Sequence, residues 1–234
     1  RHTRYWRDWS SDVCSSDLLF KHYYSDSEIA LRLYGKQGQT ILPIQKYGKV
    51  RILLVVGRSD NIQTNNDIKI VQELTEKGAE VTVLLQPTKE ELSEALWQEP
   101  GYHIFIFSGH SSCDQQTPIS WLELNELERI SIDDFEIAFG KAIAKGLQLA
   151  IFNSCDGLGL AQQLAKLNLP RSIVMRELVP DQVAVKFLQY FFKEFTKNKS
   201  LFTSVHIARK RLEHFNKRFP NATWLPTLCI RESA

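Results

Sequence analysis

His103-Ile-Phe-Ile-Phe-Ser-Gly-His110 and Leu147-Gln-Leu-Ala-Ile-Phe-Asn-Ser-Cys155 are built alike. Each is a short apolar run that passes into small polar residues and then into a chemically reactive side chain. A continuous apolar run of this length, bounded by turn residues, predicts a strand buried on both faces, as in a parallel sheet. If the two strands are neighbours, His110 and Cys155 emerge side by side at one sheet edge.

The same strand signal recurs on either side. Val50–Gly57 (VRILLVVG) is an apolar run ended by glycine, and Val81–Leu85 and Ser172–Met175 predict further strands. Between them, Asn65–Lys77 carries Ile68, Val71 and Leu74 at helical spacing, with Gly78 where a C-cap glycine belongs. Lys89–Gln98 predicts a second helix, stopped by Pro100. The long connection from the third strand to the fourth predicts a hairpin strand at Ile119–Leu124 and a crossover helix at Ile132–Lys145. Asp133 and Asp134 stand near the start of that helix, where its dipole favours acidic residues. Two long helices, Pro180–Lys197 and Leu201–Arg218, precede a last strand at Leu225–Ile230. Alternating strands and helices with short links predict an α/β fold: a mostly parallel sheet with helices on both faces, an α/β/α sandwich. Active residues in such sheets gather beyond the C-terminal strand ends.

That rule selects His110 and Cys155. A thiolate is a strong nucleophile, and a nearby imidazole takes its proton and later protonates the leaving amine. Backbone N–H groups at Ser111 and Cys155 are candidate donors to the developing oxyanion. Arg176, Glu177 and Asp181, after the fifth strand, are candidate substrate contacts on the same edge. Asp181 alternatively opens the following helix. Asp156 either caps the helix beginning near Gly157–Leu158 or lines a pocket for a basic side chain. Gly157 and Gly159 indicate close backbone approach at that turn. No Lys-Ser/Thr follows them, so they do not form a P-loop.

Other reactive residues read as structural. Cys113 sits in a polar loop and is a weaker rival nucleophile. His103 begins a strand as a packing residue. His206 and His214 lie on a helical stretch without acidic partners at metal spacing, and Trp224 reads as an apolar anchor before the last strand. The four cysteines form no C-x-x-C pair, so neither a thiolate metal site nor a disulfide framework is expected, and no cofactor is expected. Free thiols fit a cytoplasmic setting. A net charge of +2 does not argue for nucleic acid, and the basic residues Lys197, Lys199, Arg209, Lys210, Arg211, Lys217 and Arg218 read as solvated helix faces. No apolar run approaches the ~18–20 residues of a membrane span.

The strings FSGHSS, LQLAIFNSCDGLGLAQQLA, SIVMRELVPDQVAVKFLQYF and TWLPTLC resemble the CHAT domain, a bacterial relative of the caspases and separases. The resemblance runs from about Arg51 to Ile230. His110 precedes Cys155 by 45 positions (155 − 110), near the caspase interval of roughly 50. The resemblance to the CHAT domain implies a caspase-like fold and cysteine endopeptidase chemistry, with the catalytic histidine at His110 and the nucleophile at Cys155. It also implies a peptide or protein substrate and fusion or association with sensor, repeat or kinase domains in a larger signalling protein. Many relatives carry glycine after the histidine where this chain has Ser111. A glycine-specific backbone would be strained there. That departure keeps a second reading in view, a catalytically silent binding or signalling module. A flavodoxin-like or receiver-type domain would want an acidic cluster after the first strand, and Arg58-Ser59-Asp60 offers one carboxylate.

Residues 1–18 (RHTRYWRDWSSDVCSSDL) show neither helical nor strand periodicity and resemble translated adapter read-through. The expected organisation is therefore 1–18 as a non-native or disordered segment, 19–48 as a lead-in and 49–234 as the domain. On this reading the native protein extends upstream and Cys14 has no role.

Overall fold

The computed structural model describes residues 49–60, 62, 64–113, 120–154 and 158–230. The expected segments 1–18 and 19–48 lie outside these residues, as do Cys14, Cys155, Asp156 and Gly157.

The apolar runs form a six-stranded sheet. Its strands are β1 (Arg51–Val56), β2 (Glu80–Leu85), β3 (Ile104–Ser108), β7 (Leu149–Asn153), β8 (Arg171–Met175) and β9 (Pro226–Ile230), in the order β2-β1-β3-β7-β8-β9. All pairs are parallel except β8–β9. A small antiparallel sheet of β4 (Ser111–Cys113), β5 (Ser120–Glu123) and β6 (Arg129–Ser131) follows β3. The helices are α1 (Thr64–Gln72), α2 (Lys89–Trp97), α3 (Glu136–Ala144), α4 (Leu158–Lys166), α5 (Asp181–Phe195) and α6 (Leu201–Arg211).

Strand alternation sorts the core into two layers. Ile52, Leu54, Val56, Ile104, Ile106 and Ile151 face one way, against Val71 of α1, Phe187 and Phe191 of α5, and Val205 and Ala208 of α6. Leu53, Val55, Phe105, Phe107 and Phe152 face the other way, against Leu92 and Leu96 of α2, Phe139 of α3 and Leu160 and Leu164 of α4. Leu122 and Ile130 of the small sheet close that second layer. The expected sandwich with helices on both faces is the fold. Among the described residues no helix is long and apolar enough to cross a membrane.

Several boundaries differ from the expected ones, each for a local reason. The helix expected through Lys77 tightens to a 3₁₀ turn at Glu73–Lys77 before the left-handed Gly78. The helix expected to start at Ile132 starts at Glu136. Ser131 and Asp134 exchange side chain–backbone hydrogen bonds across a turn, and Asp133 accepts one from Gln163 of α4. Those aspartates therefore make a turn and a contact to α4 rather than complementing a dipole. The helix expected to reach Arg218 ends at Arg211 and continues as the 3₁₀ turn Leu212–Phe215.

The C-terminal basic residues are not all solvated faces. Lys197, Lys199 and Arg211 converge on the buried Glu194, and Arg209 donates to the Thr223 carbonyl while lying over the Trp224 ring. Trp224 is 48% exposed, so the apolar anchor before β9 is the neighbouring Leu225. His206 stacks on Phe202, and His214 bonds the Arg211 carbonyl beside Phe215.

Thr88 opens α2 with a full capping box: its hydroxyl accepts from the Glu91 N–H at 3.2 Å, and the Glu91 carboxylate accepts from the Thr88 N–H at 2.8 Å. Thr88→Ala is expected to lower unfolding stability by about 1 kcal/mol, read as a lower urea midpoint at unchanged m-value. An unchanged midpoint would show that the box is redundant with the packing of Leu92 and Leu96.

Candidate active site

The sheet has a switch point between β1 and β3. From β1 the chain winds outward to β2, then crosses back to β3 and proceeds the other way to β7 and β8. Open α/β sheets hold ligands in the crevice beyond the strand ends at such a point. The three central strands end level: Val56 pairs with Ser108, and Ser108 with Asn153. Beyond them run Gly57-Arg58, Gly109-His110 and Ser154, with Cys155 next in the chain and outside the described residues.

His110 is fixed by backbone on three sides. Its N–H donates to the Arg58 carbonyl at 2.9 Å, and its own carbonyl accepts from the Glu123 N–H at 3.1 Å. Its Nε2 lies 2.9 Å from the Asp60 carbonyl oxygen. A carbonyl only accepts, so Nε2 carries the proton in this contact, and in the neutral imidazole the lone pair is then on Nδ1. The ring is thus held in the tautomer that presents Nδ1 as a base. Arg58 braces the support, with Nε 2.6 Å from Asp60 Oδ2 and a terminal nitrogen 3.2 Å from Glu123 Oε2. The Asp60 bond and charge, and then the Glu123 and Glu126 carboxylates, raise the Arg58 pKa further, so the brace stays charged.

Two glycines allow this approach. A Cβ at Gly57 would overlap the Glu123 carbonyl oxygen and reach within 2.7 Å of the Phe107 ring. Gly109 has φ of +156°, and a Cβ there would meet the Arg58 carbonyl at 3.0 Å. The turn that aims His110 therefore bends at Gly109. Ser111 is the first residue of β4, in register with Leu122, and is not among the positive-φ residues. The strain expected of a non-glycine after His110 does not arise, because that position is extended.

Gly159 comes close to β5, as expected for that turn: a Cβ there would overlap the Ser120 hydroxyl. Cys113 closes the hairpin strand β4 instead of lying in a loop. His103 is structural: its Nδ1 accepts the Arg51 N–H at 3.0 Å, and burial, then the Arg51 charge, lowers its pKa. Arg176 turns toward the antiparallel edge, with Nε 3.2 Å from Thr227 Oγ1. Asp181 is the first residue of α5, preceded by Pro180, and Glu177 is exposed between them.

A second polar cluster, invisible in the motif pattern, lies directly beneath the strand ends. Asp67 of α1 is 1% exposed. One of its oxygens, Oδ2, accepts from the Ser108 hydroxyl and from Asn153 Nδ2, the latter at 2.7 Å. Among the described residues its other oxygen has no hydrogen-bond partner, and neither do Asn153 Oδ1 and the Ser154 hydroxyl. Burial pushes the Asp67 pKa up to about 6; the bonds from Ser108 and Asn153 pull it back, and the Asp181 charge adds a smaller upward push. With a folded value above the ordinary 3.8, the stabilising effect is complete below that pH and is lost as pH rises through about 6. Holding the group charged at neutral pH then costs on the order of 3 kcal/mol.

Residues 41–225 match the family model for the CHAT domain. The chain belongs to the CHAT domain family. Among solved structures, this CHAT domain is similar to the Drosophila initiator caspase Dronc, with a TM-score of 0.42 and 10% identity over 62% of this chain and 63% of the caspase chain. It thus spans less than two thirds of that caspase's length. No curated protein sequence matches it.

Proposed function

We propose that this CHAT domain is a cysteine endopeptidase in which Cys155 is the nucleophile and His110 the general base and acid. The observation that supports it best is the paired strand end. His110 stands two residues beyond Ser108, Cys155 stands two residues beyond Asn153, and Ser108 and Asn153 are partners in the β3–β7 register. The Asp60 carbonyl leaves Nδ1 of His110 as the available base. In the first step Nδ1 takes the thiol proton, and the sulfur attacks the peptide carbonyl carbon. The tetrahedral oxyanion collapses, the C–N bond breaks, and the imidazolium gives its proton to the departing amine. Water then attacks the thioester with His110 again as base, releasing the acid and the thiol.

The N–H groups of Ser111 and Cys155 are the proposed oxyanion donors. The extended backbone at Ser111 removes the steric argument for a silent module. Among the candidate substrate contacts, Glu177, which is exposed, is the stronger proposal, and Asp156, outside the described residues, stays a candidate from the sequence. Arg176 is occupied by Thr227, and Asp181 serves the start of α5. We further place the domain in the cytoplasm, as the effector module of a larger signalling protein that cleaves a peptide or protein substrate.

Intact-mass labelling with peptidyl acyloxymethyl ketones of varied first residue tests this. A single adduct is expected on the wild type, with none on Cys155→Ala and a strongly slowed one on His110→Ala. An adduct that persists in Cys155→Ala would sink the assignment. A folded wild type that takes no adduct would favour the silent module.

A further inference from the structure

The mechanism above leaves unused a buried ionisable group at the ends of the two strands that lead to His110 and to Cys155. Asp67 receives hydrogen bonds from the residue two before His110 and from the residue two before Cys155. Burying a carboxyl group is unfavourable unless its bonds offset the loss of water. Among the described residues one oxygen of Asp67 lacks any such bond, as do the neighbouring Asn153 Oδ1 and Ser154 hydroxyl. Packing alone would favour an apolar residue at this place, as at Val71 one turn further along the same helix. A buried polar group kept against that preference points to a role beyond stability.

We propose that Asp67 is a positioning residue whose carboxyl group clasps the C-terminal ends of β3 and β7 and thereby sets the alignment of His110 with position 155. The proposal rests on the dyad reading, but its direct readouts do not require peptide cleavage. The clasp responds to pH because Asp67 titrates near its raised value of about 6. Across from it, α5 contributes Asp181, which acts on it directly, and Lys186, which lines the groove between α1 and α5. On its own helix and the turn that follows, Lys69 and Glu73 face that groove. The strands beneath contribute no ionisable group at this end: Arg51 of β1 and Glu80 of β2 pair at the opposite end, and β3 and β7 carry none.

The test compares Asp67→Ala, which removes the clasp, with Asp67→Asn, which keeps an oxygen to accept both bonds. In the active enzyme, Asp67→Ala should lower kinact for a peptidyl ketone about tenfold or more at unchanged KI, and Asp67→Asn should restore most of it. The fall in melting temperature that Asp67 contributes as pH rises through about 6 should vanish in Asp67→Asn. That variant should also melt a few degrees higher above neutrality, because the buried charge is gone. Two further readouts hold whether or not the domain cleaves peptides: the His110 imidazole resonance, and the iodoacetamide rate at Cys155 in a Cys14→Ser/Cys113→Ser background. Both should shift in Asp67→Ala and return toward wild type in Asp67→Asn. If they stay at wild-type values in folded Asp67→Ala, the clasp is wrong, whatever the fate of the peptidase reading. If they shift while the wild type takes no peptidyl adduct, the clasp stands and the peptidase reading falls. If Asp67→Ala fails to fold, Ser108→Ala and Asn153→Ala each remove one bond and should each move the same two signals; no movement in either would overturn the proposal. A rise in KI confined to peptides with a basic first residue, with kinact and the His110 signal unmoved, would make Asp67 a substrate contact and also overturn it.

Discussion

His110→Ala is expected to lower kcat/KM for peptide cleavage by roughly 10²–10⁴-fold, the usual contribution of a positioned acid–base group, while the domain keeps its fold. The two parts follow from different contacts. The backbone of His110 ties the loops after β1 and β3 to β5 through Arg58 and Glu123, and those bonds survive truncation of the side chain. Among the described residues the ring bonds the Asp60 carbonyl, and it sits partly exposed. Losing it removes the proton acceptor and little else. Circular dichroism and the melting temperature should therefore match the wild type while turnover collapses. A kcat/KM within a factor of three of wild type would mean that another group takes the thiol proton, and the dyad would be wrong. His110→Gln separates the roles further. It keeps a side-chain donor for Asp60 but offers no base, so it should be as inactive as alanine.

Much of this site was legible because parallel strands advertise themselves. Runs such as VRILLVVG and LQLAIF are buried on both faces, so their apolar signal is continuous, and the rule that chemistry collects at their C-terminal ends then selects His110. The parts that were not legible depend on partners distant in sequence. β4 and β6 are three residues each and polar (SSC and RIS); they exist as strands because β5 lies between them. The orientation of His110 comes from a backbone carbonyl at Asp60, which no side-chain pattern reports. Asp67 sits in Thr64-Asn65-Asn66-Asp67, where an acidic residue near a helix start reads as an ordinary complement to the helix dipole. Its role arises only because α1 lands across the ends of β3 and β7, a fact of packing.

Gly57→Ala should be a damaging substitution, and Gly140→Ala an improving one. At Gly57 the new Cβ would run into the Glu123 carbonyl oxygen on one side and Phe107 on the other, at 2.7 Å from one ring atom and 2.9 Å from a second. Neither neighbour yields easily. The carbonyl accepts the Arg58 N–H at 2.9 Å, and the Phe107 ring is fully buried. Overpacking of this kind costs about 1–3 kcal/mol. The displacement also falls on the segment that supports His110, since Arg58 and Asp60 follow Gly57 immediately. Labelling at position 155 should therefore drop more than the loss of stability alone explains, including at temperatures where the variant is fully folded. Gly140 lies within α3 with nothing in reach of an added Cβ. There alanine gains about 1 kcal/mol from helix propensity, and labelling should stay at the wild-type rate. Paired urea melts and labelling rates decide the matter. If Gly57→Ala loses stability but labels normally, the approach of β1 to β5 supports only the fold, and His110 is aimed by Gly109 and Asp60 alone.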